Sequence, residues 1–317
     1  MPENEVILFL LFNLFVIAML ALDLGVFHRK AHAVSIKEAT VWSVVWVTLS
    51  LLFNIALFFW VKSRTGSVDE ATRVSLEFLT GYLLEKSLSV DNIFVFIVIF
   101  SYFGVPSHLQ HKVLFWGVLG ALVMRSIFIA TGVVLIARFE WILYIFGAIL
   151  VFSGWKMMVQ RGTEVHPEKN IFIRLAKRFF PVETGYDTPH FVIRKGGKVY
   201  ITSMFLVLIT VETTDVVFAV DSIPAVFAVT RDPFIVYSSN VFAILGLRAL
   251  YFLLAGVMNR FYYLKHGLSI ILMFVGVKML VADFFHIPIA ISLLVILGVL
   301  TVAVGLSLYR NRRLPQG

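Results

Sequence analysis

The sequence predicts an all-α polytopic membrane protein of about nine transmembrane helices, with an inverted repeat of three-helix units. Three observations carry that expectation. The chain of 317 residues is 60% hydrophobic and 15% charged, whereas soluble domains carry about 25% charged residues. Its mean hydropathy of +0.92 is gathered into long apolar runs, each close to the ~20 residues that cross a bilayer. Short motifs also return in order, 122 to 130 positions downstream. The strict alternation of an outer-membrane barrel is absent from the runs.

Taken along the chain, the predicted spans are roughly 6–27, 41–61, 78–103, 113–136, 141–160, 201–229, 234–257, 265–283 and 287–309. The run from Val6 to Phe27 reads as a retained first span, since no basic n-region precedes it and no small-residue cleavage site follows. Residues 1–62 thus hold the first two helices, 78–160 one repeat unit, and 161–200 a basic cytoplasmic loop. Residues 201–283 form the second unit, and 287–317 the last helix with a basic cytoplasmic tail.

The net charge of +8 is better explained by topology than by nucleic acid. On one side of these spans lie 17 Lys and Arg, on the other 5. The positive-inside rule then places the C-terminus in the cytoplasm and, with an odd number of spans, the N-terminus outside. Within the loop, Phe172, Leu175, Ala176 and Phe179 fall on one helical face among basic residues, as in a helix lying on a lipid surface. Phe191–Tyr200 reads as a β-hairpin with a Gly-Gly turn. The loop is expected to be a topological linker, with docking of a cytosolic partner as the alternative.

The repeat is read from three correspondences. Gly154-Trp155-Lys156-Met157 returns as Gly276-Val277-Lys278-Met279, Arg125 as Arg248, and Asp91 as Asp221. An odd number of spans per unit inverts the second copy. Inverted repeats with polar sites at the midplane are a common design of secondary transporters.

Five acids stand inside apolar segments: Glu85, Asp91, Glu212, Asp215 and Asp221. A carboxylate at mid-bilayer costs roughly 2.5–3.5 kcal/mol on insertion scales, so each needs a reason. With Asn92, Ser89, Thr213, Thr214 and Ser222 they form a hard oxygen donor set suited to Mg2+, Ca2+ or Mn2+. The chain has no cysteine, which removes thiolate sites and disulfides. Glu85, Ser89 and Asn92 share one helical face, as do Glu212, Asp215 and Ser222. Asp91 and Asp221 lie about 120° away on an unbroken helix. Either they meet another partner or the helices unwind near Ser87–Ser89 and Val217–Val220, where Pro224 favours a break in the second copy. A structural alternative is pairing with Lys86, Arg125 and Arg248. Five acids against three bases still leave −2, the charge of one divalent ion or two protons. Lys156 and Lys278 are expected to snorkel to the interface. Asp23 reads as a cap at a span end, with lining of the path as the alternative, and the histidines read as solvated, with a response of His286, at the outer mouth, to external pH as the alternative.

At these motifs the chain resembles the TerC family of integral membrane proteins, and within it the Alx-type members. The residues that carry the resemblance are Glu85–Asn92, Asp215–Ala225 and Asn240–Arg248. The resemblance implies manganese handling: export of Mn2+, carried by the five acids, with no permanently bound cofactor. Exchange against protons is the expected drive, since no phosphate-binding G-x-x-x-x-G-K-[ST] stretch is present. Ca2+ or another cation remains an alternative, because oxygen ligands alone do not separate these ions. A non-transporting membrane subunit of a metal- or tellurite-resistance complex is another. An intramembrane hydrolase would want His-Glu-x-x-His, which the sequence lacks; the expectation is a non-enzyme, with no nucleic acid among its partners.

Overall fold

Caps and turns divide the chain where the sequence signals them. The computed structural model describes residues 3–27, 35–139, 141–159, 170–186, 188–255, 262–285 and 287–313. Helix α1 (Glu3–Phe27) is followed by α2 (Ile36–Thr65), α3 (Val68–Phe103), α4 (Ser107–Arg138) and α5 (Ile142–Val159). Then come α6 (Ile171–Phe179), strands β1 (Val182–Glu183), β2 (Val192–Lys195) and β3 (Lys198–Thr202), and helices α7 (Ser203–Phe227), α8 (Pro233–Leu245), α9 (Leu247–Ala255), α10 (Leu264–Leu280) and α11 (Ile289–Arg313). Helices occupy each predicted apolar stretch. Among the described residues, five of them (α2, α4, α5, α7 and α11) are long and apolar enough to cross a membrane, or six if α8 and α9 form one broken span. The outer faces of these helices expose large apolar side chains, such as Leu52, Val134, Phe152 and Leu294. So much exposed hydrocarbon is foreign to a soluble monomer and natural against lipid.

Helix α3 begins ten residues before the predicted span. Ser67 caps it, its hydroxyl accepting from Glu70 N–H at 3.2 Å, and Gly66 closes α2 in the left-handed region at φ 68°. Asp69 and Glu70 complement the helix N-terminus. Arg73 donates to Glu70 at 2.5 Å, and that bond holds the exposed Glu70 carboxyl below its ordinary range.

Of the two alternatives for Asp91 and Asp221, unwinding of the third and sixth spans does not occur: α3 and α7 are continuous helices. At Ser87 the hydroxyl folds back on Leu83 O at 2.6 Å, and the ladder persists. The break lies instead at Gly246, where α8 and α9 meet at 41°. A break in lipid must satisfy the carbonyls it frees. Lys86 Nζ does so, donating to Ala243 O at 3.2 Å at the C-terminal end of α8, where the helix dipole favours a cation.

Packing directions follow from which residues meet. Gly81 and Lys86 of α3 reach Ser239 and Ala243 of α8, so these helices are parallel. Gly117 and Gly132 of α4 face Val211 and Phe227 of α7, again parallel. By contrast, Gly147 and Gly154 of α5 face Gly276 and Ser269 of α10, an antiparallel pair. The core beside α1 is aromatic. Phe53 lies 4.9 Å from Phe242 and 5.2 Å from Phe78 between ring centres, and Phe12 lies 5.5 Å from Phe53.

Residues 170–202 form a helix and a three-stranded sheet that pack against the start of α7. β2 and β3 pair antiparallel across Gly196 and Gly197, both at positive φ, and β1 adds parallel to β3. Helix α6 packs Ile173 and Ala176 against Ile201 and Leu206 and leaves Phe172, Leu175 and Phe179 outward. Ala176 is thus on the protein side, not with the predicted lipid face, because Ile173 one turn earlier draws that face inward. Asn170 serves twice: its Oδ1 caps α6, accepting from Phe172 N–H at 2.9 Å, and its Nδ2 donates to Thr213 of α7 at 2.7 Å. Asn170→Ala is expected to loosen α6 from α7 by about 1–2 kcal/mol. Faster tryptic cleavage after Lys177 and Arg178, with the bundle's melting midpoint unchanged, would register it.

Candidate functional site

The polar residues predicted along α3 and α7 fall into three stations. At the first, Arg125 of α4 is only 2% exposed. One guanidinium nitrogen approaches Ser222 Oγ at 3.3 Å and Asn240 Oδ1 at 3.2 Å, and the other reaches Asp215 Oδ1 at 3.3 Å. The same group pairs with Glu85. Helices α3, α4, α7 and α8 each contribute to this knot. Asn240 is oriented by its own Nδ2, which donates to Val236 O at 3.1 Å. Among the described residues, Asp215 Oδ2, Arg125 Nε and the α3 hydroxyl of Ser89 are buried without a hydrogen-bond partner. The predicted stripe therefore holds for Asp215 and Ser222, which share Arg125, and the acid–base pairing offered as the structural alternative is real for Glu85 and Asp215.

The second station holds Asp91 and Asp221. Asp91 feels the charges of Asp221 and of Lys265 at the start of α10. Asp221 accepts from Ser153 Oγ of α5 at 2.7 Å and feels Lys156 one turn further. So the two acids displaced by about 120° on their helices do meet other elements, and no unwinding is needed. Lys156, expected only to snorkel, is one of those neighbours.

Glu212 stands apart. Its carboxylate lies directly against Gly120 of α4, where any side chain would collide with it. It lines a groove of about 1060 Å³ together with Trp116, Val123, Val217, Thr213 and Phe172. Asp215, one turn further along α7, adds its charge to the surroundings of Glu212.

Among the described residues no three of His, Cys, Asp and Glu gather closely enough to hold a metal ion. The five acids are thus two pairs and a single, strung along α3 and α7. Sequence reasoning missed Asn240, Ser153 and the central position of Arg125. The return of Arg125 as Arg248 was a signal for the last of these; Ser153 had none. The Asp23 side chain, His28, His32, His166, His286 and residues 160–169 lie outside the described residues.

A model of the integral membrane protein TerC family matches residues 70–314. An Alx protein of Escherichia coli K12, named as a candidate membrane-bound redox modulator, is 54% identical over 303 residues, 95% of this chain and 94% of its own. An uncharacterized membrane protein of Myxococcus xanthus is 50% identical, covering 96% and 92%. A membrane protein of Rickettsia bellii is 38% identical, covering 95% and 97%. No solved structure matches. Buried acids on long apolar helices, a family model spanning the bundle and relatives aligned almost end to end agree: the chain belongs to the TerC family of integral membrane proteins.

Proposed function

We propose that the chain is a multi-pass exporter of divalent metal ions in the bacterial cytoplasmic membrane, with Mn2+ as its foremost substrate and protons as the counter-ion. The observation that carries the reading is a pair of acids at corresponding places of α3 and α7, Asp91 and Asp221, within range of one another's charge and with Asp221 held by Ser153. Asp221 with Ser153, and Asp215 with Ser222 and Asn240 around Arg125, make an all-oxygen donor chemistry, which fits a hard cation. Glu85 and Asp215 continue the acids along the same helices, and Glu212 ends them at the groove. An ion leaving Asp91 and Asp221 hands them to protons, which is antiport.

Alternating access between inverted units is the proposed motion. Three helix relations support it: α5 runs against α10, the α3–α8 and α4–α7 contacts are both parallel, and along α3 Gly81 packs on Val226 of α7 while Glu85, further on, shares Arg125 with Ser222 and Asp215, earlier in α7. These are the relations expected when α3, α4 and α5 correspond to α7, α8–α9 and α10 about an axis in the membrane plane. Nine crossings, with the N-terminus outside, complete the topology; the Lys and Arg bias supports it.

The relatives' redox description fits as a consequence. With no cysteine the chain has no thiol to exchange, so an effect on redox state would run through the ion it moves. Proteoliposomes of known orientation test the reading with radiolabelled Mn2+ and, in parallel, Ca2+. Asp91→Asn is expected to lower pH-gradient-driven Mn2+ flux at least about tenfold. Flux equal to that of protein-free vesicles would overturn transport. Faster Ca2+ than Mn2+ flux would reassign the ion, and activity lost on deleting residues 161–198 but kept in Asp91→Asn would favour the partner-docking subunit.

A further inference from the structure

We infer that Arg125 is a built-in counter-cation: its guanidinium fills the oxygen set of Glu85, Asp215, Ser222 and Asn240, and a divalent ion binds there by displacing it. The inference rests on the transport reading.

The arrangement around Arg125 is that of a cation site. Two carboxylates, a hydroxyl and a carboxamide oxygen from α3, α7 and α8 converge on one positive group, all of them buried. An ordinary scaffold arginine would be fully engaged. Here, among the described residues, Nε makes no hydrogen bond and Asp215 keeps one oxygen without a partner, and three contacts are 3.2–3.3 Å long, against roughly 2.7–2.9 Å for charge-assisted bonds. The hold is therefore loose apart from the Glu85 pair.

Charge decides which cation suits the set better. Glu85 and Asp215 carry −2 when ionised, and Arg125 leaves −1. A divalent ion leaves zero, while arginine and the ion together would leave +1 in a low-dielectric interior. The two occupants exclude one another. When the ion departs, the guanidinium takes the oxygens back, so the empty carrier never holds both carboxylates bare in lipid. Arg125 thus lowers ion affinity and speeds release: it is a positioning residue that sets the occupancy of the acids.

Mn2+ binding to the purified full-length protein in detergent, read from the loss of the free Mn2+ paramagnetic resonance signal, tests this. Lysine cannot fork to three partners. Arg125→Lys is therefore expected to bind Mn2+ about three- to tenfold more tightly than wild type, and Arg125→Gln more tightly still. Efflux from proteoliposomes should fall in both. Tighter binding with slower transport is the signature, since a scaffold residue would lose both together. Mn2+ should also raise the melting midpoint of Arg125→Gln further than that of wild type. Wild-type binding that Arg125→Lys leaves unchanged or weakens overturns the counter-cation and leaves the transporter standing. A wild type that binds no Mn2+ overturns both.

Discussion

Arg125→Leu is expected to destabilise the metal-free protein by about 3–5 kcal/mol, the usual cost of stranding a buried charge partner. Glu85 and Asp215 would then face one another's charge with only Ser222 and Asn240 near, inside a site that is 0–3% exposed. Helices separated but still in lipid also lack good partners for those acids, which draws the value toward the lower end of the range. Thermal unfolding in detergent at fixed pH measures it. Removing one acid behaves differently, because Glu85→Gln or Asp215→Asn leaves arginine with a single carboxylate and a neutral sum. Either should cost much less stability than Arg125→Leu and yet abolish ion exchange. The combination of Glu85→Leu, Arg125→Leu and Asp215→Leu should recover most of the lost stability, since a buried ionic triad contributes little against apolar packing of similar size. Recovery would mean that the knot is kept for what it does, not for the rigidity it lends. A triple variant less stable than Arg125→Leu would reverse that conclusion.

How much of this was legible in the sequence depended on range. Local chemistry was. Asn170, Ser67 and Asp232 cap helices as their residue types demand, Gly196-Gly197 makes the hairpin turn, and apolar length marks the helices. The faces of α3 and α7 were legible too: period 3.6 put Asp215 with Ser222 and set Asp91 and Asp221 aside. What was not legible was which neighbour each face meets. Nothing local says that Lys86 reaches across 157 positions to the α8–α9 junction, and so the sequence, where it offered a break as an alternative, pointed to Val217–Val220 before Pro224 and not to Gly246. Proline removes one donor near the end of α7, where few ladder bonds remain to lose. Gly246 lies where a buried ammonium is at hand to take a carbonyl. Ser153 escaped for a similar reason: a lone serine in an apolar helix looks like any other until Asp221 is placed 2.7 Å from it. Polar partners across helices are set by tertiary packing, and the sequence displays only one half of each pair.

That packing is most constrained between α5 and α10, and Gly276→Val is expected to part them. A Cβ at Gly276 would stand 2.7 Å from Gly147 O, 2.8 Å from Val151 N and 2.9 Å from Leu150 Cβ. Two of these are backbone atoms, which no rotamer change can move. At Gly154 a Cβ would meet Ser269 O at 2.8 Å and Met273 N at 3.0 Å, also backbone. Small residues permit such contact between helices in lipid, where no hydrophobic force draws them together and close van der Waals packing must. Gly276→Ala is expected to cost about 1–3 kcal/mol, the usual range for overpacking, and Gly276→Val more. Gly298→Ala and Gly305→Ala in α11 are the controls, because a Cβ there meets nothing within 4 Å, and alanine should stabilise that helix by up to about 1 kcal/mol. Melting midpoints of the four variants in detergent test the contrast. The repeated Gly-x-Lys-Met motif is thereby explained sterically, since Gly154 and Gly276 each press on the partner helix. Through it the second station is built: α5 brings Ser153 to Asp221, and α10 brings Lys265 toward Asp91. Gly276→Val should therefore weaken Mn2+ exchange along with stability, whereas Gly298→Ala should touch neither, although both change one glycine in an apolar helix.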